Sequence, residues 1–335
     1  MGTAMARNMQ RHLAAKNLPP LRVFNRTASR MDALISLGAI PGESESEVVK
    51  GCDVIFISVS SDSPALLTDM PKLATALFND DDALRSIINR IMPAAESTGK
   101  IIVDTTTVHP ETTKAVAADL HKAGAVFVAT PCFGATPVAE EGKLLMAVAG
   151  PAEAADKVTA LVNGVLARDV LRVGEKPEMA SLLKTAGNFM IAGIMEIVAE
   201  AMVFAEKTGL GVEVMQQLIQ ANFGPLAFSD SQRMTNGVYM PGKGETPWSD
   251  LNLALKDVGH GISSAEAAGT KLPTGEVIMQ HLQRASEYSA QKGNRPMDSS
   301  SLYGVVREDA GLDFETDQVK ERDGRAYRRS PPDTK

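Results

Sequence analysis

Lys184 and Asn188 are the residues whose types and spacing best suit chemistry: a cation and an amide four positions apart in an otherwise apolar run. On a helix that spacing puts both on one face, a turn above one another, where an ammonium and a carboxamide can converge on one small ligand. An amine so placed can pass a proton to or from a hydroxyl or carbonyl oxygen, provided desolvation or a neighbouring cation lowers its pKa toward neutrality. The same pair also fits a bland role, a lysine snorkelling from a helix end beside a tolerated asparagine.

The element that must carry them is Pro177 to Leu210, PEMASLLKTAGNFMIAGIMEIVAEAMVFAEKTGL, which reads as one long helix opened by Pro177 and closed by Gly209. Its middle is apolar nearly all round, the mark of a core helix. Its longest uninterrupted apolar stretch, Phe189 to Met195, is too short to span a bilayer.

Upstream, short apolar runs alternate with helical patterns. Leu21 to Phe24, Asp53 to Val59, Lys100 to Asp104, Ala125 to Ala129, Leu145 to Ala149 and Val170 to Val173 read as buried strands. Residues 1–16, Ala28 to Leu37, Ala83 to Ile91, Pro110 to Lys122 and Ala152 to Leu166 read as helices. Strand and helix at this spacing predict an α/β fold with a Rossmann-type, doubly wound parallel sheet over residues 1–173. Downstream, the long helix is followed by Gly211 to Ala221, Leu251 to Ala268 and Thr274 to Ser289, an all-α domain over residues 174–312. From Asp313 the sequence turns charged and ends RAYRRSPPDTK, so residues 313–335 are expected to form a mobile tail.

A chain of 335 residues has room for two such domains. Its net charge of -7 repels nucleic acid and anionic membrane, and neither is expected as a partner. Two cysteines, Cys52 and Cys132, make no disulfide framework. Five scattered histidines offer no ligand pair, so no metal is expected. No apolar leader opens the chain, and a cytoplasmic location is expected, with a mitochondrial one left open.

A doubly wound sheet binds dinucleotides at the carboxyl ends of its strands. The strand LRVF is followed by Asn25-Arg26-Thr27, where a sheet specific for NAD would place an acid on the ribose hydroxyls. Arg26 instead attracts a 2′-phosphate, and Asn25 and Thr27 can donate hydrogen bonds to it, which favours NADP over NAD. The other reading is a solvated turn in which Thr27 caps the next helix.

Lysine, three residues, then asparagine at the start of a long helix behind a dinucleotide-binding domain resembles the catalytic motif of the β-hydroxyacid dehydrogenases. The resemblance runs from Met1 to about Leu312 and implies hydride transfer between the cofactor and a small β-hydroxyacid or semialdehyde, with Lys184 as general acid and base and Asn188 orienting the substrate. Met1-Gly2-Thr3-Ala4-Met5-Ala6 is similar to the tail of the family's Gly-Leu-Gly-x-Met-Gly-x-x-Met-Ala, which makes Gly2 its last glycine. The first strand is then expected to be missing, with a gap in mid-sheet, either because the sequence is clipped or because cofactor binding has been lost.

The resemblance further implies that Val59 and Ser60 pass under the nicotinamide ribose. It assigns Thr107, ending Asp104-Thr105-Thr106-Thr107, to cofactor and substrate. Lys256, in Lys256-Asp257, is directed at the nicotinamide end, and Trp248 lies near the substrate. Thr130-Pro131-Cys132-Phe133-Gly134-Ala135 is similar to the substrate loop Asp-Ala-Pro-Val-Ser-Gly-Gly, which implies substrate contacts from Phe133 and Gly134. Phe133 stands where the family has a serine, and Ala135 where it has a glycine. A hydroxyl donor is replaced by a ring, which suggests a pocket reshaped for a different or more apolar molecule. The run of spaced glycines before the family's lysine is also replaced, here by Gly174 to Ala180 with Pro177 as helix opener.

Two alternatives stay open: a non-catalytic binding or scaffold descendant, and a reductase of imines or bulkier carbonyls. The apolar surface of the long helix exceeds what one small domain covers, so a homodimer or homotetramer built on the helical half is expected.

Overall fold

The computed structural model describes residues 1–59, 79–95 and 99–329. In chain order its elements are α1 (Gly2–Ala15), β1 (Arg22–Val23), a 3-10 turn (Ala28–Met31), α2 (Asp32–Ile35), β2 (Ile40–Pro41), α3 (Glu45–Lys50), β3 (Val54–Ile57), α4 (Asn79–Ala95), β4 (Ile101–Asp104), α5 (Pro110–Lys122), β5 (Val126–Ala129), β6 (Cys132–Phe133), α6 (Thr136–Glu140), β7 (Leu144–Ala149), α7 (Ala152–Val162) and β8 (Ala167–Gly174). Then come α8 (Glu178–Thr208), α9 (Val212–Asn222), α10 (Gly224–Thr235), α11 (Leu251–Ala267), α12 (Pro273–Gln291), α13 (Leu302–Asp309) and α14 (Asp317–Arg329).

The chain divides into two compact units, Met1–Ala186 and Gly187–Lys335. The division falls inside α8 and not at the expected boundary after residue 173, because the first turns of that helix are built into the α/β unit. Ala180 is fully buried in its core, and the Thr113 and Ser181 hydroxyls meet at 2.7 Å.

Within the first unit the strands are apolar runs because the sheet is covered on both faces. Ile55, Ile57, Ile102, Phe127, Ala129, Ala147 and Ala149 face Val49, Leu84, Ile88, Val116 and Leu120 from helices on one side. The alternate residues Ile101, Val103, Val128, Met146 and Val148 face Met5, Met9, Ala154, Ala155 and Val158 on the other. The period of two along each strand thus sorts its side chains between two helical layers.

β3, β4 and β5 run parallel in register, and β8 runs parallel to β7. β7 is antiparallel to β5 and to the two-residue β6, so the sheet is mixed and not wholly parallel as expected. Among the described residues β1 and β2 pair with each other alone, in a parallel two-stranded sheet separate from the six-stranded one. The helix expected over Ala28 to Leu37 is a 3-10 turn followed by a single short helical segment.

The second unit is helical, with Met195, Ala199, Met202, Tyr239, Ile278, Leu282, Leu302 and Val305 in its core. By length and composition α8 is apolar enough to cross a membrane. Its buried residues lie in protein cores, from Ala180 in the first unit to Met195 through Ala205 in the second, which is the position of a core helix.

The expected mobile tail is corrected as far as Arg329. Phe314 stacks on Tyr288 with ring centroids 3.7 Å apart, and Gly304 is what lets it in, since a Cβ there would come within 2.5 Å of the ring. Tyr239 donates its hydroxyl to the Phe314 carbonyl and accepts from the Thr316 amide, both at 2.9 Å. Val319, on α14, is fully buried. Two apolar anchors hold a segment whose composition alone reads as solvated.

Candidate active site

In the first unit Gly2, Val59 and Thr107 lie at the carboxyl ends of β3 and β4. Gly2 begins α1 against the end of β3, where a Cβ would lie 3.1 Å from Ser58 Oγ, so the helix start approaches the strand end as only glycine allows without a shift. A helix start of this kind, with its first amides outside the helical ladder, suits a phosphate. Beyond β1, Asn25 Oδ1 accepts from the Thr27 amide at 2.9 Å and turns the chain, leaving Arg26 exposed. Thr27 precedes the 3-10 turn without capping it by its side chain. Val59 donates its amide to Thr106 Oγ1 at 3.4 Å. Ser60 lies outside the described residues.

Asp104 organises this edge, a role the sequence reading missed. It closes the apolar β4, is 2 % exposed, and accepts from the Thr106 amide at 3.0 Å. Its carbonyl accepts from the Thr130 amide at 2.7 Å and the Thr130 hydroxyl at 3.1 Å, which ties β4 to the turn after β5. Burial pushes the Asp104 carboxyl up to about 7, against the pull of the Thr106 hydrogen bonds, with Asp81 and Asp80 adding to the rise. An acid ending a run of aliphatic residues was the available signal. Thr107 follows, half-buried.

Phe133 lies on β6, paired with Leu145 across the ladder. Lys184, from the α8 segment that belongs to this unit, places Nζ 4.5 Å from the centre of the Phe133 ring. Neighbouring Cys132 is buried, and burial pushes its thiol up while the charge on Lys184 pulls it down. Gly134 has φ 129°, and a Cβ there would come within 2.9 Å of Leu144 Cδ2 and 3.1 Å of Val138. The structure therefore brings Lys184, Phe133 and Gly134 together.

In the second unit, Asn188 donates Nδ2 to Asp257 Oδ2 at 2.6 Å. Asp257 Oδ1 lies 3.4 Å from Lys256 Nζ, and Lys256 is only 3 % exposed. A carboxylate accepts and never donates, so the Asn188 amide nitrogen must face Asp257 and its carbonyl oxygen points elsewhere. Asn188, Asp257 and Lys256 thus form one polar cluster, in which Lys256 is too buried for a solvated surface pair.

Trp248 is 66 % exposed, on the segment before α11. That segment is fixed from beneath by a buried ion network. Arg233 bonds Asp230 at 2.9 Å, Ser299 Oγ at 2.8 Å and Asp298, and Asp298 Oδ2 accepts the Ser249 amide at 2.8 Å. Burial pushes Asp230 up to about 6 despite the charge of Arg233.

A separate concavity of about 350 Å³ is lined by residues that include Tyr288, Lys292, Glu315 and Lys320, and contains none of the expected site residues. Both its lysines are paired within it, Lys292 with Glu315 and Lys320 with Asp313. Among the described residues no cluster of histidine, cysteine, aspartate or glutamate could hold a metal ion.

The model of the NAD binding domain of 6-phosphogluconate dehydrogenase matches residues 1–174. The chain belongs to the β-hydroxyacid dehydrogenase family. The NAD-binding domain of NADP-dependent 3-hydroxyisobutyrate dehydrogenase matches residues 179–306. Over 318 residues the chain is 32% identical to NADH-dependent oxidoreductase ucdB of Aspergillus ustus, covering 94% of this chain and 99% of the relative. It is 27% identical over 308 residues to 2-hydroxy-3-oxopropionate reductase of Escherichia coli, covering 90% and 92%. Among solved structures, 3-hydroxyisobutyrate dehydrogenase from Salmonella typhimurium shares the fold with a TM-score of 0.71 at 19% identity, covering 90% of this chain and 96% of that one. The chain is thus an NAD(P)-dependent oxidoreductase with a Rossmann-type domain followed by an all-helical one.

Proposed function

We propose that the protein transfers hydride between NADP and the hydroxyl or carbonyl carbon of a small β-hydroxyacid or semialdehyde, with Lys184 moving the accompanying proton. The observation that supports this reading is Lys184 Nζ 4.5 Å from the centre of the Phe133 ring, on the strand that follows the carboxyl end of β5, since a sheet of this kind receives its nucleotide at the carboxyl ends of its strands. When bound, the nicotinamide supplies the hydride in reduction and accepts it in oxidation. The Lys184 ammonium donates its proton to the oxygen that becomes a hydroxyl, and the neutral amine takes that proton back in the reverse direction. Asn188, its amide nitrogen held by Asp257, offers its carbonyl oxygen to a substrate hydroxyl. Thr107 and the Gly134 turn hold the acid end, and Trp248 covers the substrate.

Gly2 and the start of α1 suit the pyrophosphate, Val59 and Ser60 the nicotinamide ribose, and Lys256 the nicotinamide end. Arg26, exposed beyond β1 on the turn made by Asn25 and Thr27, favours the 2′-phosphate of NADP. The name of the Aspergillus relative favours NADH, so the choice is tested by dissociation constants for NADPH and NADH measured by fluorescence. Wild type is expected to bind NADPH more tightly, and Arg26→Glu to weaken NADPH at least about ten-fold while changing NADH less than about three-fold. Equal loss of both, or no loss of either, removes Arg26 from the cofactor.

We further assign the exposed residues Met190, Ile197 and Phe204, seven apart along α8, to a contact with a second copy of the chain. Free Cys52 and Cys132 support a cytoplasmic setting.

A further inference from the structure

The substrate's second arm is a separate question from the reaction at its hydroxyl, and Phe133 bears on it. If Lys184 exchanges a proton with the reacting oxygen, that oxygen lies within about 3 Å of Nζ during the step. Nζ is 4.5 Å from the centre of the Phe133 ring, which leaves room for a substituent one or two bonds from the reacting carbon to reach van der Waals contact with that ring.

The strand that carries the ring is anchored. β6 is fixed to β7 by the pairs Cys132 with Met146 and Phe133 with Leu145, and the next residue, Gly134, is wedged against Leu144 and Val138. Around it the same segment presents hydrocarbon and donors already engaged. Pro131 has no N–H, the buried Cys132 thiol is pushed toward its protonated form, and the Thr130 hydroxyl is given to the Asp104 carbonyl. Beyond Lys184, which the reacting oxygen engages, Arg7 and Lys143 sit at the surface in ion pairs with Glu140 and Glu141. A carboxylate laid against this wall meets the electron-rich face of a ring and loses its water, and the side-chain donor at the ring, Lys184, is taken up by the reacting oxygen.

We propose that Phe133 is a specificity-determining residue that selects hydroxyacids or aldehydes carrying an aromatic or branched-alkyl arm where a second carboxylate would otherwise lie. This rests on the reading of Lys184 as the proton-transfer group. Two alcohols separate the cases: 2-benzyl-3-hydroxypropanoate and 2-(hydroxymethyl)butanedioate, which share the reacting CH2OH and one carboxylate and differ only in a phenyl or a carboxylate on the arm. Each would be oxidised by NADP or NAD to its aldehyde, with one hydride to the cofactor and the hydroxyl proton to Lys184.

The measurements are kcat/KM for both alcohols and their calorimetric dissociation constants from the enzyme·NADPH complex, in wild type, Phe133→Ser and Phe133→Leu, each checked for cofactor binding. Wild type is expected to favour the benzyl compound at least ten-fold in both readouts. Phe133→Ser is expected to cut that ratio at least ten-fold, and Phe133→Leu to keep the benzyl compound ahead. A wild type that favours the diacid or does not discriminate overturns the proposal, as does a ratio unchanged in Phe133→Ser. Should the serine variant fail to bind cofactor, the wild-type ratio and the leucine variant decide. If wild type binds cofactor but neither binds nor oxidises either alcohol, the hydroxyacid reading fails first and this proposal with it.

Discussion

Replacing Asp104 by asparagine isolates what it costs to bury a carboxyl at the cofactor edge of the sheet. The carboxyl is pushed up to about 7 from an ordinary 3.8, chiefly by burial. A group whose folded pKa exceeds its unfolded one binds its proton more tightly in the folded state, so stability is greatest below the unfolded value and falls as pH rises between the two. Above pH 7 the full penalty applies: about three pKa units, or roughly 4 kcal/mol, an upper bound because water can reach an ionised group. The carboxamide of the Asp104→Asn variant keeps an oxygen for the Thr106 amide and never ionises. The variant's stability minus that of wild type, taken from urea unfolding at a series of pH values, should therefore grow by roughly 2–3 kcal/mol between pH 5 and pH 8. Taking the difference cancels the titrating groups that do not interact with Asp104 and leaves its neighbours Asp80 and Asp81 as the coupled ones. A difference that is flat or shrinks over that range would refute the assignment of this carboxyl to a desolvated site.

Removing the guanidinium in Arg233→Ala leaves Asp230 and Asp298 buried without their cation, and should lower the stability of the helical unit by about 3–5 kcal/mol in the same assay; a loss under about 1 kcal/mol would show the network to be solvated. Deleting residues 313–335 strips Phe314 from Tyr288 and Val319 from its fully buried site, and should cost about 3–5 kcal/mol, as the loss of a buried aromatic side chain does; a mobile extension could be removed with no change in the unfolding midpoint.

The periodic parts of the fold were legible because burial writes itself into them. LLMAVA is apolar throughout and IIVD is apolar up to its closing Asp104, both being covered on two faces, and β4 and β7 appear where those runs predict. Two-residue strands such as β2 and β6 leave no such trace, since their pairing depends on partners far along the chain. The end of the chain misled for a related reason: Phe314 and Val319 are two apolar residues in a charged context, and only the pocket under Gly304 and Tyr288 shows that they are enough. The division of the chain inside α8 was hidden because one continuous helical pattern carries both halves of its packing. At the site, Lys184 was visible from its isolation in an apolar run, whereas its contact with Phe133 required β6. Lys256-Asp257 was legible as a motif, and the structure adds the Asn188 amide on Asp257, which no local spacing could reveal across residues 188 and 257.

The most direct test of the account is Lys184→Met in single-turnover hydride transfer, followed by nicotinamide absorbance on a panel of hydroxyacids, semialdehydes and imines, with cofactor affinity measured on the same protein. The account predicts a rate lower by about 10²–10⁴, the worth of a general acid, with cofactor affinity changed less than about two-fold. A near-normal rate, or parallel loss of turnover and cofactor binding, would contradict it.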